Sequence, residues 1–285
     1  MEQDKLNSIL ASHKKWLLDE EGGTCADFSN IDLRGVDLTN ADLSYMSLSG
    51  ANLEGVNLEG ANLAESSLEG ADLSRVDLSN TNLTGTSFKN ANLSRANLSS
   101  AKLNDVDLTD AKLEYANLTG VDLSNALIQG ASLIGANLNC ANLRYAEITK
   151  SSLSRATLTL ADLTRSDLVG IDMSWVDLEG ANLRGANLTD VNLGDANLKD
   201  TDLEGAKLNW VHWQDVRGLT VTVVQVNTSR PNNQMAYIKE LDTWVTGCFQ
   251  GTLEELRGSI EVSHAKNKKL RSKYYRVIDF ILREA

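Results

Sequence analysis

Three histidines (His13, His212, His264) and three cysteines (Cys25, Cys140, Cys248) are the side chains best suited to nucleophilic, acid–base or soft-metal chemistry. They are scattered. No cluster has zinc-ligand spacing, and an odd number of distant cysteines is not a disulfide framework. There is no HExxH, no phosphate-cradling glycine loop and no nucleophile elbow. Cys248 and His264 are the nearest to a reactive pair, with no recognisable motif between them. A lone Cys is more often a small buried hydrophobe. No enzyme, cofactor or metal is therefore expected. The remaining chemistry is recognition. Arg75, Arg95, Tyr115, Arg155 and Trp175 fall at multiples of twenty residues, with Gly135 in the gap. Arg, Tyr and Trp are favoured at binding hot spots, and guanidinium and aromatic groups stack on one another. Such a row either shields the surface beneath it or docks a partner.

What positions that row is a repeat. One bulky apolar residue returns every five residues from Phe28 through Leu33 and Leu38 to Leu208 and Trp213. Phe28, Phe88, Ile128, Ile148, Met173 and Trp213 are its only departures from Leu. Two residues earlier stands a smaller one, most often Ala and elsewhere residues such as Val or Thr, as in Ala51, Val56 and Thr81. A period of five matches neither the 3.6 of a helix nor the alternation of a straight strand. The chain keeps every Leu inside only by bending once per repeat. Asn, Asp, Ser and Gly at the other positions suit those bends. The expectation is a solenoid with a Leu-filled axis.

The unit Ala-(Asp/Asn)-Leu-x-x, as in Ala51-Asn52-Leu53-Glu54-Gly55 and Ala181-Asn182-Leu183-Arg184-Gly185, resembles the pentapeptide-repeat proteins. The resemblance implies a mainly β fold: a right-handed, four-sided parallel β-helix with twenty residues per coil. The Leu and the small residue would face inward and the other three outward. At about 4.8 Å per stacked strand the rod would be about 45 Å long. Asn97, Asn117 and Asn137 would then stack as an amide ladder, and Arg–aromatic neighbours in the row would lie within stacking distance. Some members of that family resemble duplex DNA in shape and charge, bind DNA gyrase and protect it from inhibitors. Those relatives usually dimerise through a C-terminal module and often carry a loop that interrupts the repeats. Here no loop breaks the register.

Charge is uneven. The net −12 of the chain resolves into 13 Lys/Arg against 26 Asp/Glu in residues 24–213 and an excess of Lys/Arg after them. An acidic rod disfavours direct nucleic-acid or anionic-membrane binding. Without a signal peptide or an apolar run of membrane-spanning length, a reduced, cytoplasmic setting is expected. Leu127, Ile134, Leu160 and Val169 occupy nominally outward slots on different sides. Tyr145 stands one coil from Arg165, with Tyr45 distant from both.

Three parts are expected. Residues 1–23 place Leu6, Ile9, Leu10, His13, Trp16 and Leu17 on one helical face before Gly22-Gly23. A solenoid's open end exposes core and strand edges, so this helix is expected to cap it, with Trp16 and Leu17 over the opening. Residues 24–213 are the rod. Residues 214–285 are expected to form a small α+β unit. Residues 219–226 and 243–249 read as strands, 229–233 as a loop, and Met235–Ile238 as strand or helix. Thr252-Leu253-Glu254-Glu255 reads as a capping box. A last helix from about Lys266 carries Leu270, Tyr274, Val277, Ile278 and Ile281 on one face. The string from Gly247 to Leu253 resembles C-terminal segments of bacterial and phage proteins of unknown role. Lys266, Lys268, Lys269, Arg271, Lys273 and Arg276 form a basic cluster, a solvated face attracted to the acidic rod or a nucleic-acid contact. The function these features favour is a non-catalytic interaction or scaffold protein, with a protein partner not identified; a gyrase-binding DNA mimic is the alternative.

Overall fold

The computed structural model describes residues 1–226 and 234–284; the loop expected at 229–233 lies outside the described residues. Helix α1 (Gln3–Leu17) leads into a ladder of isolated parallel bridges. Asp27 pairs with Ser47, Asp32 with Asn52, Asp37 with Asn57 and Asp42 with Asn62. The same pattern continues to Asn192–His212 and Asn197–Arg217. Every bridge joins residues twenty apart, so four five-residue units complete one coil of a parallel β-helix. The ladder thus runs a few residues past Trp213.

The burial pattern follows the repeat. Leu33, Leu53, Leu73 and Leu93 are fully buried, and so are Ala51, Ala71 and Ala91, each two residues before one of them. Alternating wide and narrow inward residues let successive coils interlock along the axis. Where Thr or Ser takes the narrow slot, its hydroxyl donates to a main-chain carbonyl: Thr86 to Leu63 at 2.8 Å and Ser166 to Leu163 at 2.8 Å. Among the described residues no buried side-chain polar atom lacks a partner.

The residue between the two inward ones holds the bend. Its side-chain oxygen accepts the N–H two residues on, as Asp37 does from Thr39 at 3.0 Å and Asn117 from Thr119 at 3.2 Å. At several of the Asn residues the side-chain amide also donates to the coil before it. Asn97 donates to Asp77 at 3.0 Å, Asn117 to Asn97 at 3.1 Å and Asn142 to Asp122 at 2.8 Å. Of the amide ladder expected at Asn97, Asn117 and Asn137, the link between Asn117 and Asn97 forms, whereas Asn137 Oδ1 accepts from the Thr157 hydroxyl at 3.2 Å.

Both ends of the rod close with a glutamine amide. In the body, the Lys207 peptide accepts from Leu188 N–H at 2.9 Å and donates to Ala186 O at 2.9 Å. One coil later Gln250 Oε1 accepts from Leu208 N–H at 2.7 Å, and its Nε2 donates to Ala206 O at 2.7 Å. The side-chain amide stands in for the missing peptide. At the other end Gln3 Oε1 accepts from Asp37 N–H at 3.0 Å and its Nε2 donates to Asp37 O at 3.1 Å. Edges that would template another strand are thereby occupied. Gln250→Ala leaves two main-chain groups of the last coil unpaired. It should cost about 1–2 kcal/mol and raise hydrogen exchange at Leu208 first, which amide-exchange mass spectrometry resolves.

After the rod come strands β1 (Val221–Gln225), β2 (Gln234–Ile238), β3 (Thr243–Thr246) and β4 (Phe249–Gly251), then helices α2 (Leu253–Ser263) and α3 (Lys268–Glu284). The sheet is antiparallel in the order β1-β2-β3-β4. The segment expected as one strand over 243–249 is a hairpin, broken at Gly247 and Cys248. Gly247 lies against the Trp210 ring, where a Cβ would overlap the indole, so the chain turns at the point of contact. Alternation puts the sheet between two cores. Ala236, Ile238 and Val245 join the rod's core, while Met235 and Trp244 pack with Leu256, Ile260, Tyr274, Ile278 and Ile281 of the helices. The capping box forms: Glu255 N–H donates to Thr252 Oγ1 at 3.3 Å and Thr252 N–H to Glu255 Oε2 at 2.8 Å. Within the basic cluster, Arg271 turns to Glu261 of α2 at 2.7 Å and Arg276 to the carbonyl of Ser272 at 3.2 Å, so neither reaches the rod.

Candidate protein-docking surface

The fifth residue of each unit is the second residue of a turn, and its φ is left-handed. Gly fills it at Gly35, Gly55 and Gly135, Asn at Asn30, Asn40, Asn80 and Asn90. These residues reach that region at least cost. Arg75, Arg95, Tyr115, Arg155 and Trp175 hold the same conformation, at φ between 58° and 60°. All five are exposed; Tyr115 is 61% exposed and Trp175 58%. The bridges twenty apart set them in one column at roughly 4.8 Å per coil. The side chains in these columns lean toward the following coil. The Tyr115 ring lies over Gly135, where an added Cβ would come within 2.7 Å of Cε1. Gly135 therefore gives Tyr115 a floor as well as meeting the backbone demand of φ 66°.

The column's arginines differ in their partners. Arg75 reaches Glu54 at 3.6 Å. Among the described residues Arg95 and Arg155 have no ion pair. Arg155 is flanked in its own coil by Ser152, Ser154, Thr157 and Thr159, all uncharged. In the next coil Asp177 accepts from Asn197 at 2.8 Å and Glu179 pairs with Lys199 at 2.6 Å. Near Arg95, Glu114 accepts from the Ser94 hydroxyl at 2.9 Å. The stacking expected along this column does not form. The Arg–aromatic contact lies elsewhere, with Arg144 5.8 Å from the Tyr145 centroid. Its guanidinium also holds Asp162 at 3.2 Å.

The other outward apolar residues are spread around the coil. Leu127 is 42% and Leu160 64% exposed, whereas Ile134 and Val169 are half-buried. Leu160 lies over Gly180 as Tyr115 lies over Gly135. Elsewhere the outward carboxylates serve the turns. The Ser29 hydroxyl and N–H hold Asp27 below the usual carboxylate range, the Thr39 hydroxyl and N–H do the same to Asp37, and the Arg34 side chain with its N–H takes Asp32 to about 2.

At the other end of the rod, Leu6 is fully buried and continuous with the rod's core, and Ile9 and Leu10 pack at its margin. Leu17 is half-buried. Trp16 does not cover the opening: it is 41% exposed, stacked on His13 at 5.5 Å and edge-on to Tyr45 at 6.5 Å. The ring that enters the cap is His13. Ala26 N–H donates to Nδ1 at 3.2 Å, and Nε2 meets the Ser44 carbonyl at 3.0 Å. The sequence signals apolar periodicity and leaves the roles of Gln3, His13 and Gln250 unmarked, because each depends on main-chain groups far along the chain.

Among the described residues no group of three or more His, Cys, Asp or Glu is placed to hold a metal ion. No helix is long and apolar enough to cross a membrane. An open groove of about 450 Å³ lies between the last coil and β1, lined by His212, Trp213, Gln214, Val221 and Gln234.

Comparison with known proteins agrees with this architecture. The family profile described as pentapeptide repeats (8 copies) matches residues 24–55, 141–180 and 171–209, and that described as a pentapeptide repeat region matches 61–138. The matched residues all lie in the rod. HetL, a pentapeptide repeat protein involved in heterocyst differentiation regulation from the cyanobacterium Nostoc sp. strain PCC 7120, is 28% identical with a TM-score of 0.51, over 72% of this chain and 94% of that one. QnrB1, a plasmid-mediated fluoroquinolone resistance protein, is 22% identical with a TM-score of 0.39, over 58% and 88%. A pentapeptide repeat protein of the Arabidopsis thaliana thylakoid lumen is 30% identical with a TM-score of 0.26, over 45% and 71%. No curated protein matches the chain. With well over half of its residues matched and every coil closing after four five-residue units, the chain belongs to the pentapeptide-repeat family, and its rod is a right-handed β-helix.

Proposed function

We propose that this is a non-catalytic, cytoplasmic interaction protein whose rod docks a protein partner along the column from Arg75 to Trp175. Each five-residue unit is taken as one side of a four-sided coil, so the column is one corner of the rod. Residues 1–23 and 214–285 are taken as its two caps. One observation carries the reading. Arg, Tyr and Trp occupy left-handed turn positions, where a residue other than Gly, Asn or Asp costs on the order of 1 kcal/mol. They remain largely exposed and gain little packing in return. Every turn imposes this backbone, on Glu65, Lys150 and Leu160 as on these five; what sets the column apart is that exposed residues of hot-spot type are stacked in one line, which points to binding.

This gives a test in two readouts. Asn already fills the equivalent position at several turns, so Trp175→Asn and Arg155→Asn should fold. Each should raise stability by about 0.5–1 kcal/mol, by the difference in left-handed backbone cost, measured by chemical denaturation. The double variant should also lose any partner that quantitative affinity capture finds on the wild type. A captured partner retained equally by both proteins would place docking elsewhere.

The acidity of the rod supports a second reading, a nucleic-acid mimic that binds gyrase. Against it, residues 127–166 carry Arg144, Lys150, Arg155 and Arg165 but only Glu147 and Asp162, which interrupts a continuous acidic surface at mid-length. A supercoiling assay with and without a fluoroquinolone separates the two: salt-sensitive inhibition or protection supports mimicry.

A further inference from the structure

The column also carries the chemistry of its occupant. Arg95 stands one coil before Tyr115, and Arg155 one coil before Trp175, so the column holds two pairs of arginine–aromatic neighbours that do not stack on each other. Gly135 separates them and leaves Tyr115 lying flat over it. The two pairs repeat after three coils, roughly 14 Å along the axis at the spacing of stacked strands. An extended peptide advances about 3.4 Å per residue, so that distance is about four residues. Four is even, so residues four apart on an extended chain face the same way. Within each pair the aromatic lies one coil from the arginine. The same-face residue two along a peptide is about 6.8 Å away, a mismatch that long Arg and Trp side chains absorb.

Charge favours an acidic partner at this place. Arg95 and Arg155 are exposed and unpaired among the described residues; of the nearby carboxylates Glu179 is paired with Lys199, while Asp77, Glu114 and Asp177 accept from neutral amide or hydroxyl groups, keep their charge and lie half-buried, less exposed than the two arginines. Between the two arginines the residues following the column are Asn97, Ser99, Asn117, Thr119, Asn137 and Asn139, with no like charge to repel an acid. A long polyanion such as single-stranded nucleic acid could use the same guanidinium and aromatic groups. It would extend past them over coils rich in Asp and Glu at both ends of the rod.

We propose that the column from Arg95 to Trp175 binds an extended acidic peptide with a four-residue period, acid–x–apolar–x–acid–x–apolar. This inference rests on the docking reading above and gives its partner a chemistry. The probe is a fluorescein-labelled synthetic peptide, Glu-Ser-Leu-Ser-Glu-Ser-Leu-Ser, with a Gln-for-Glu analogue and a scrambled-spacing analogue, titrated against the full chain by anisotropy at low and moderate salt. Oligo(dT) of twelve nucleotides is the competitor.

The expected result is saturable binding that weakens at least fivefold with the Gln analogue, with the scrambled peptide, and with either Arg155→Asn or Trp175→Asn. Gly135→Leu should weaken it comparably by lifting Tyr115, with the two arginines untouched. Arg144→Asn, which alters an arginine on another side, should leave it unchanged; circular dichroism and size-exclusion checks on each variant separate lost binding from lost fold. Absence of saturable binding at millimolar peptide overturns the inference. So does binding indifferent to Arg155→Asn and Trp175→Asn, or oligo(dT) that binds more tightly through the same residues. A folded partner that docks through the column while the peptides fail sinks only the peptide inference; loss of column dependence for every ligand sinks the docking reading too.

Discussion

Leu6→Asp should destabilise the N-terminal end of the rod by about 4–5 kcal/mol, the upper range for deleting a buried Leu with an unpaired charge added. Leu6 is fully buried and belongs to the same core as Phe28 and Leu33. It is the first apolar layer of the axis, laid down by a helix instead of a coil. An aspartate there cannot stay docked, so α1 should leave the rod and take Gln3 away from Asp37. The first coil then presents unpaired strand edges and bare Leu side chains, a template for self-association. Because repeat arrays unfold by nearest-neighbour units, the damage should begin locally. Limited proteolysis should cut within residues 1–23 before the rest, and light scattering should show concentration-dependent oligomers. Leu6→Ala should show the same order of events at about 2–4 kcal/mol. Leu18→Asp is the control: Leu18 is 59% exposed and should change neither readout. A Leu6→Asp protein that stays monomeric and resists protease would mean that α1 does not seal the rod.

The fold was legible because one physical requirement, keeping every fifth residue inside, admits few solutions. Phe28 to Trp213 supplies that requirement without a slip, and the burial pattern obeys it. Asn97 and Asn117 were legible for the same reason, since coils of fixed length turn sequence spacing into stacking. What the period does not reach was less legible. Gln3 and Gln250 look like ordinary polar residues, yet each imitates one peptide of an absent coil. The break of the 243–249 segment depends on Trp210 meeting Gly247, a contact between parts of the chain that share no register. Trp16 has the apolar spacing of a plug but its indole rests on His13 and Tyr45 at the rim. The Arg–aromatic column sits between these cases. Its alignment was readable from the twenty-residue spacing. Its left-handed backbone, and the absence of an ion pair at Arg95 and Arg155 among the described residues, needed coordinates.

The ladder of outward Asn and Asp makes a last prediction, from a regularity in how charge is spread. In the stack Asp122, Asn142, Asp162, Asn182, Asp202, acid alternates with amide. Each Asn keeps its flanking carboxylates two coils apart, roughly 9.6 Å at the spacing of stacked strands, and Asn142 also donates to Asp122. Asn142→Asp removes the 2.8 Å bond to Asp122 and stacks three carboxylates. At an effective dielectric near 20 one such pair costs about 3 kcal/mol; partial exposure and the Arg144 guanidinium, already at Asp162, reduce this, while the lost bond adds about 1. A net loss of about 1–3 kcal/mol near neutral pH is expected, more than for Asn117→Asp, whose neighbours Asn97 and Asn137 are neutral. The sign with pH discriminates the cause. Two flanking carboxylates, one of which already holds the Arg144 guanidinium, raise the new carboxyl's folded-state pKa above its unfolded value of about 3.9. The penalty is therefore full above the folded pKa and fades as pH falls through it, when the introduced carboxyl is protonated and can donate to Asp122 again. Urea denaturation of wild type and Asn142→Asp from pH 7 to pH 4 should show the two curves converging at the acid end. Parallel curves would mean that the loss is geometric, and that alternation of acid and amide along the stack does not serve to separate charge.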